Sequence, residues 1–235
     1  MEKNILITGA KMVLPHGIET GDLRISDGII SEISTKEKLE PKDNEYVHDA
    51  EGLYLLPGII DPQVHFRDPG QPEKEDLHTG SRAAASGGVT SFLDMPNNVP
   101  SQTTLQSMYN KLETASNRCV TNYGFFIGAT ENNVEELQKA VGTPDAPIAI
   151  PGICGIKIFM GSSTGDLLVN ESSALKTIFD NTAGLIAVHA EDETRMIERE
   201  KMIEGRTDMA AHAEWRDDQT ALIATKRAVG YAQDS

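Results

Sequence analysis

The sequence predicts an α/β fold built on a parallel sheet, preceded by a short all-β segment. Beyond Gly52, apolar runs of strand length alternate with helical patterns, which is the signature of βαβ units. Those runs are apolar on both sides of the pleat, as strands covered by helices are. Before Gly52, Asp27-Gly28 joins two alternating runs, Leu23-Arg24-Ile25 and Ile29 to Ile33, and Asp-Gly in that setting is a strong hairpin signal. An open doubly wound sheet and a (β/α)8 barrel both satisfy the later pattern.

Taken in order, Asn4 to Val13 is largely apolar and reads as a strand broken at Gly9. Gly21 to Ser34 contains the hairpin. Thr35 to Glu45 is polar, with Pro41 and Asp43-Asn44 as turn formers, and reads as a surface loop. Leu53 to Ile60 is apolar and punctuated by Pro57-Gly58. A helical pattern over Glu75 to Ser86 stops at Gly87-Gly88. Strands are then expected at Thr90 to Met95, Asn122 to Ile127, Ile153 to Met160 and Leu185 to Ala190. Helices are expected between them at Thr104 to Ser116, Val134 to Val141 and Ser172 to Phe179. From Glu193 onward the chain is mostly helical, with Trp215 to Ala232 apolar on one face. The expected division is a small β domain over residues 1-55 and an α/β domain over 56-235.

Composition narrows the function classes. The 235 residues carry 21 basic and 36 acidic side chains, a formal charge of −15. That balance argues against a nucleic-acid backbone as partner, which needs a basic surface. No apolar run approaches the roughly 20 residues of a membrane helix. No glycine-rich phosphate loop is present, which argues against a nucleotide site. Cys119 and Cys154 lie far apart without metal-ligand spacing and read as half-buried free thiols in a reducing cytoplasm.

Chemistry-bearing residues gather at strand ends. In Asp61-Pro62-Gln63-Val64-His65-Phe66-Arg67-Asp68-Pro69-Gly70, alternation puts Gln63, His65 and Arg67 on one face. They sit at the carboxyl end of a parallel strand, where such folds hold their sites. Lys157 interrupts the apolar run Gly155 to Gly161; burial there would favour a neutral, reactive amine, and a strand-end position would let it reach water. His189 closes the run Leu185 to Ala190, and imidazoles are common metal ligands. Met95-Pro96-Asn97-Asn98 follows another strand and offers amides for a small polar ligand, or a plain turn. His16, His48, His78 and His212 read as surface residues.

These segments together resemble the dihydroorotases of the amidohydrolase superfamily. The resemblance rests on Leu56-Pro57-Gly58-Ile59-Ile60-Asp61 with Val64 to Gly70, then Gly87-Gly88-Val89-Thr90-Ser91 with Met95-Pro96-Asn97. Gly155 to Met160 and Val188-His189-Ala190-Glu191-Asp192 follow in the family's order. It implies a (β/α)8 TIM-type barrel, incomplete here at about five strands, with a small N-terminal β-sandwich domain. It implies hydrolysis of a cyclic amide, interconverting dihydroorotate and N-carbamoyl-aspartate in pyrimidine synthesis. By position it implies a site for one or two zinc ions, with His65 and His189 as ligands and Lys157 as a carbamate that bridges the two. Arg67 and Asn97 would hold the substrate carboxylate. The partner is then a small molecule, with neither nucleic acid nor membrane, and a second copy or a carbamoyltransferase as the protein partners expected.

Two departures stand beside it. The family's strand-one motif reads His-x-His, whereas this chain reads Gln63-Val64-His65, and an amide oxygen is a weaker zinc ligand than imidazole. Two alternatives follow: an inactive homologue serving as a structural partner, or a hydantoinase-like amidase. The chain is also short. About 180 residues remain for a barrel that typically takes about 250. The family's strand-six histidine and catalytic aspartate have no counterpart, so the general acid/base is expected beyond residue 235. Without that group this chain alone is expected to be inactive, and an open barrel edge predicts that it is poorly soluble or associates.

Overall fold

A computed structural model describes residues 4–161 and 165–235. The chain divides into two compact units, Met1–Gly58 and Ile59–Ser235.

The first unit holds β1 (Asn4–Leu14), β2 (Gly17–Ser26), β3 (Ile29–Ser34), β4 (Tyr46–Asp49) and β5 (Tyr54–Leu55). They form one sheet in the order β3-β2-β1-β4, with β5 also paired to β1. β1 and β2 run antiparallel, while β4 and β5 lie parallel to β1. The Asp-Gly hairpin is present. Asp27 and Gly28 both take positive φ, 51° and 81°, the left-handed pair that matches the twist of the flanking strands. Ala10, Met12, Leu23 and Ala50 make its small core. The loop after β3 is anchored by buried Asp22, which accepts from the backbone N–H groups of Gly9 and Leu39, both at 2.8 Å. The buried Arg24 guanidinium holds Glu45 at 2.6 Å and the Glu40 carbonyl. One sheet of the expected sandwich is seen; a second sheet is not among the described residues.

The second unit runs β6 (Ile59–Val64), α1 (Leu77–Ser86), β7 (Val89–Asp94), α2 (Leu105–Arg118), β8 (Asn122–Gly128) and α3 (Val134–Val141). A two-residue pair, β9 (Gly142–Thr143) and β10 (Ala146–Pro147), leads into β11 (Ile153–Phe159), α4 (Ser172–Asn181) and β12 (Ile186–His189). Helices α5 (Glu193–Glu200), α6 (Ala210–Trp215) and α7 (Asp218–Asp234) follow. The five main strands are all parallel, in the order β12-β11-β8-β7-β6. They form a curled half-barrel, as the strand count predicts.

Capping explains where the first helices begin. Asp76 accepts from the N–H groups of His78 and Thr79 ahead of α1, and Thr104 accepts from Ser107 ahead of α2, each within a capping box. The core lies between the helices and one face of the sheet. Phe92, Phe125, Ile127, Ile156 and Ile158 pack there against Met108, Leu137, Leu175 and Ile178. Alternation therefore turns the intervening residues to the opposite, concave face.

Candidate functional site

The carboxyl ends of β6, β7, β11 and β12 carry the candidate residues. Val64 packs with the helix-side core and pairs in register with Asp94, so His65 is turned to the concave side. Between Asp61 and Val64 the register slips, three residues of β6 spanning two of β7. Such a bulge re-aims the end of a strand. Gln63 lies within it and is exposed. On β11, Ile156 and Ile158 face the helices, leaving Lys157 and Phe159 on the concave side. His189 is the register partner of Phe159 and shares that side.

Lys157 is only 3% exposed. Its ammonium position lies 5.0 Å from the centre of the Phe159 ring, and it has no hydrogen-bonding or ionic partner among the described residues. Burial pushes its amine below the usual lysine range. Of the two environments the sequence leaves open for Lys157, the buried one forms and the water-reaching strand end does not. Lys157 lies two residues inside the strand, among Gly128, Ala187 and Phe159. His189 stacks on the same Phe159 ring, the two ring centres 6.0 Å apart.

Among the described residues, each of the two histidines has one nitrogen committed and one left over. His65 Nδ1 lies 2.7 Å from Asn97 Oδ1, and because an amide oxygen only accepts, Nδ1 donates and Nε2 keeps its lone pair. His189 Nε2 lies 2.6 Å from Glu191 Oε2, which by the same logic leaves Nδ1 as the free acceptor. Glu191 also faces the Arg216 guanidinium at 3.3 Å. Orienting a ligand imidazole through its other nitrogen is the usual arrangement around a metal. Arg67 donates to the backbone carbonyl of Asn97 at 3.3 Å, so Arg67, Asn97 and His65 sit together at the mouth of β6 and β7. His65 engages the amide oxygen of Asn97, and the NH2 of that amide is the group able to donate to a carboxylate.

Among the described residues no group of three or more His, Cys, Asp or Glu side chains gathers as a ready cation cage. The donors present nonetheless fit a zinc site that includes a modified lysine. A buried amine without a partner and two imidazoles, each offering one free nitrogen, share one face of the sheet. No helix among the described residues is long and apolar enough to cross a membrane. Both thiols are pushed up by burial, Cys119 to about 11 and Cys154 to about 12, in keeping with inert free cysteines.

Residues 54–225 match the Amidohydrolase family. The chain belongs to the amidohydrolase family. An allantoinase of Bacillus velezensis is 32% identical to this amidohydrolase, over 99% of the chain and 50% of the relative. A dihydroorotase of Methanosarcina acetivorans is 31% identical, over 96% of the chain and 47% of the relative. The solved L-hydantoinase (dihydropyrimidinase) of Arthrobacter aurescens matches it with a TM-score of 0.84 at 26% identity, covering 98% of this chain and 50% of that one. The chain spans about half the length of these relatives. They carry three different names at similar identity, so membership of the family does not by itself fix the substrate ring.

Sequence reasoning missed the polar residues behind the site. Asp94, at the end of β7, is fully buried and bonded to Lys111 of α2 at 2.6 Å. Arg118 at the end of α2 holds Asp68 at 2.6 Å and Asp76 at 3.2 Å, tying down the loop that follows His65. A signal for Lys111 was legible: it falls on the buried stripe Met108, Lys111, Ala115, where a lysine needs a partner.

Proposed function

We propose that this chain is part of a zinc-dependent cyclic-amide hydrolase that opens and closes an acidic ring, dihydroorotate to N-carbamoyl-aspartate. The observation that carries this reading is Arg67 beside His65 at the strand mouth, on the same face of the sheet as buried, unpartnered Lys157. A planar guanidinium grips a carboxylate through two parallel hydrogen bonds. Dihydroorotate has that carboxylate; hydantoin, dihydropyrimidine and allantoin rings do not. The similarity to dihydroorotases supports the choice, and Arg67 separates it from the equally similar allantoinases.

In this reading His65 and His189 hold zinc through Nε2 and Nδ1, the nitrogens their hydrogen bonds leave over. The Lys157 amine adds to carbon dioxide, forming an N–C bond and releasing one proton. The resulting carbamate turns a costly buried amine into an anionic ligand. Zinc, when bound, supplies Lewis acidity and activated water. Arg67 and the Asn97 loop orient the ring. No residue of this chain is assigned as general acid/base, and the chain by itself is expected to be inactive.

The test is turnover of dihydroorotate, allantoin and hydantoin by the full-length protein with zinc. Dihydroorotate should be the preferred ring. Lys157→Ala should abolish the reaction, and Arg67→Ala should raise KM for dihydroorotate selectively. A full rate in Lys157→Ala, or preference for an uncharged ring untouched by Arg67→Ala, would overturn the reading.

Gln63 favours a second reading, a homologue that has lost its chemistry and acts as a structural partner. It stands exposed where the family motif has an imidazole. That reading expects little zinc and no turnover in the full-length protein.

A further inference from the structure

The backbone between His65 and Arg67 is held from behind by a closed ring of hydrogen bonds. The Phe66 N–H donates to Asp94 Oδ1 at 2.9 Å. Asp94 Oδ2 accepts from Lys111 Nζ at 2.6 Å. The same ammonium donates to Asn98 Oδ1 at 2.8 Å, and Asn98 Nδ2 donates back to the Phe66 carbonyl at 3.1 Å. Both backbone groups of one residue are thus gripped by two side chains, and both side chains are gripped by one lysine. Asp94 is fully buried, Lys111 is 3% exposed and Asn98 is 6% exposed, so water does not compete for these bonds.

We infer that Lys111 is a positioning residue for this site: from helix α2 it locks the Phe66 peptide, and so sets the direction of His65 and Arg67 on either side of it. Three features support the inference. Phe66 lies on the helix side, its ring 4.8 Å from Phe92 and pressed against Gly80, where a Cβ would come within 2.7 Å of it. His65 and Arg67 must then leave from the opposite side. Asn98 follows Asn97 directly, so fixing Asn98 also fixes the amide that orients His65 and the carbonyl that takes Arg67. An apolar residue would fill the core at position 111 at lower cost than a buried ion pair. The lysine is instead bonded to the two residues that grip the peptide.

The inference rests on the reading of His65 as a metal ligand only for its consequence; the positioning itself is testable without metal. The experiment uses the full-length protein in three forms: native, Asp94→Asn with Lys111→Met, and Asn98→Ala. The paired change avoids leaving a lone buried charge, and Asn98→Ala cuts the ring without touching either charge. Leu137→Ala, in the same helix-side core but outside the ring, serves as a control for general loosening. Nitrogen-correlated NMR of the His65 ring in the metal-free protein, recorded at alkaline pH, reads its tautomer. The native protein and the control should show the Nδ1-protonated form alone. The other two variants should lose that single signature. On adding cobalt as a zinc surrogate, they should bind about 10–100-fold more weakly than native, as loss of an outer partner of a ligand does. A native tautomer retained in both ring variants, or a native protein without the Nδ1-protonated form, would overturn the inference. A native protein with the right tautomer that takes up no cobalt would instead defeat the metal reading and leave the positioning role standing.

Discussion

Gln63 and His65 frame what the strand-one motif can do. His65 has a defined free nitrogen because Asn97 occupies the other. Gln63 is exposed, inside a register slip, and donates its backbone N–H to Asp61 at 3.1 Å. A neutral amide there contributes little to holding a divalent cation. Gln63→His should therefore raise zinc affinity, measured by competition with a chelator. Because the site is on the surface, it should change stability by no more than about 0.5 kcal/mol. Unchanged zinc affinity would mean that position 63 does not reach the metal.

Among the helices, α5 and α7 are joined by one carboxylate. Asp217 caps α7, accepting from the Thr220 N–H and hydroxyl at 3.1 and 2.9 Å. It also receives two hydrogen bonds from the Arg195 guanidinium of α5, at 2.9 and 2.5 Å. The Arg195 hydrogen bonds, with those from Thr220, hold its carboxyl well below the usual carboxylate range. A depressed acid contributes stability that is present above its unfolded value, about 3.9, and lost as pH falls through the folded one. Asp217→Asn should accordingly lower the melting temperature at pH about 6, and the gap to the native protein should close as pH drops below about 4. Melting curves across that range decide it; a gap that does not depend on pH would assign the effect to capping alone.

At the scale of the whole chain, the first unit exposes apolar surface. Ile29 is 71% exposed and Ile30 58%. A groove of about 270 Å³ beside them is lined by Ile7, Leu14, Ile30, Ile33 and Leu55. Among the described residues, β6 and β12 each pair on one side only. Exposed edges and apolar patches of this kind promote association. The 235-residue chain, expressed as it stands, should self-associate in sedimentation with a mass that rises with concentration. Ile30→Lys with Ile33→Glu should reduce it. A concentration-independent monomer would refute this.

Much was readable from the order of residues. Alternation and the Asp-Gly pair foretell the hairpin, because a two-residue turn acts locally. The β/α rhythm foretells the five parallel strands, because helix-covered strands need long apolar runs. The motifs around His65 and His189 mark strand ends for the same reason, and the family match agrees with the amidohydrolase superfamily they suggest. Strand β4 was not readable: its four residues are all exposed, and pairing with β1 rather than any pattern of its own makes it a strand. Nor was the depth of Lys157, the hydrogen-bonded nitrogen of His65, or the ring through Lys111, Asp94 and Asn98. Each depends on which side chains meet across tens of positions in the chain, as Phe66 and Asn98 do. Local propensity speaks only for near neighbours, whereas burial and hydrogen-bond partnership are settled when distant segments pack.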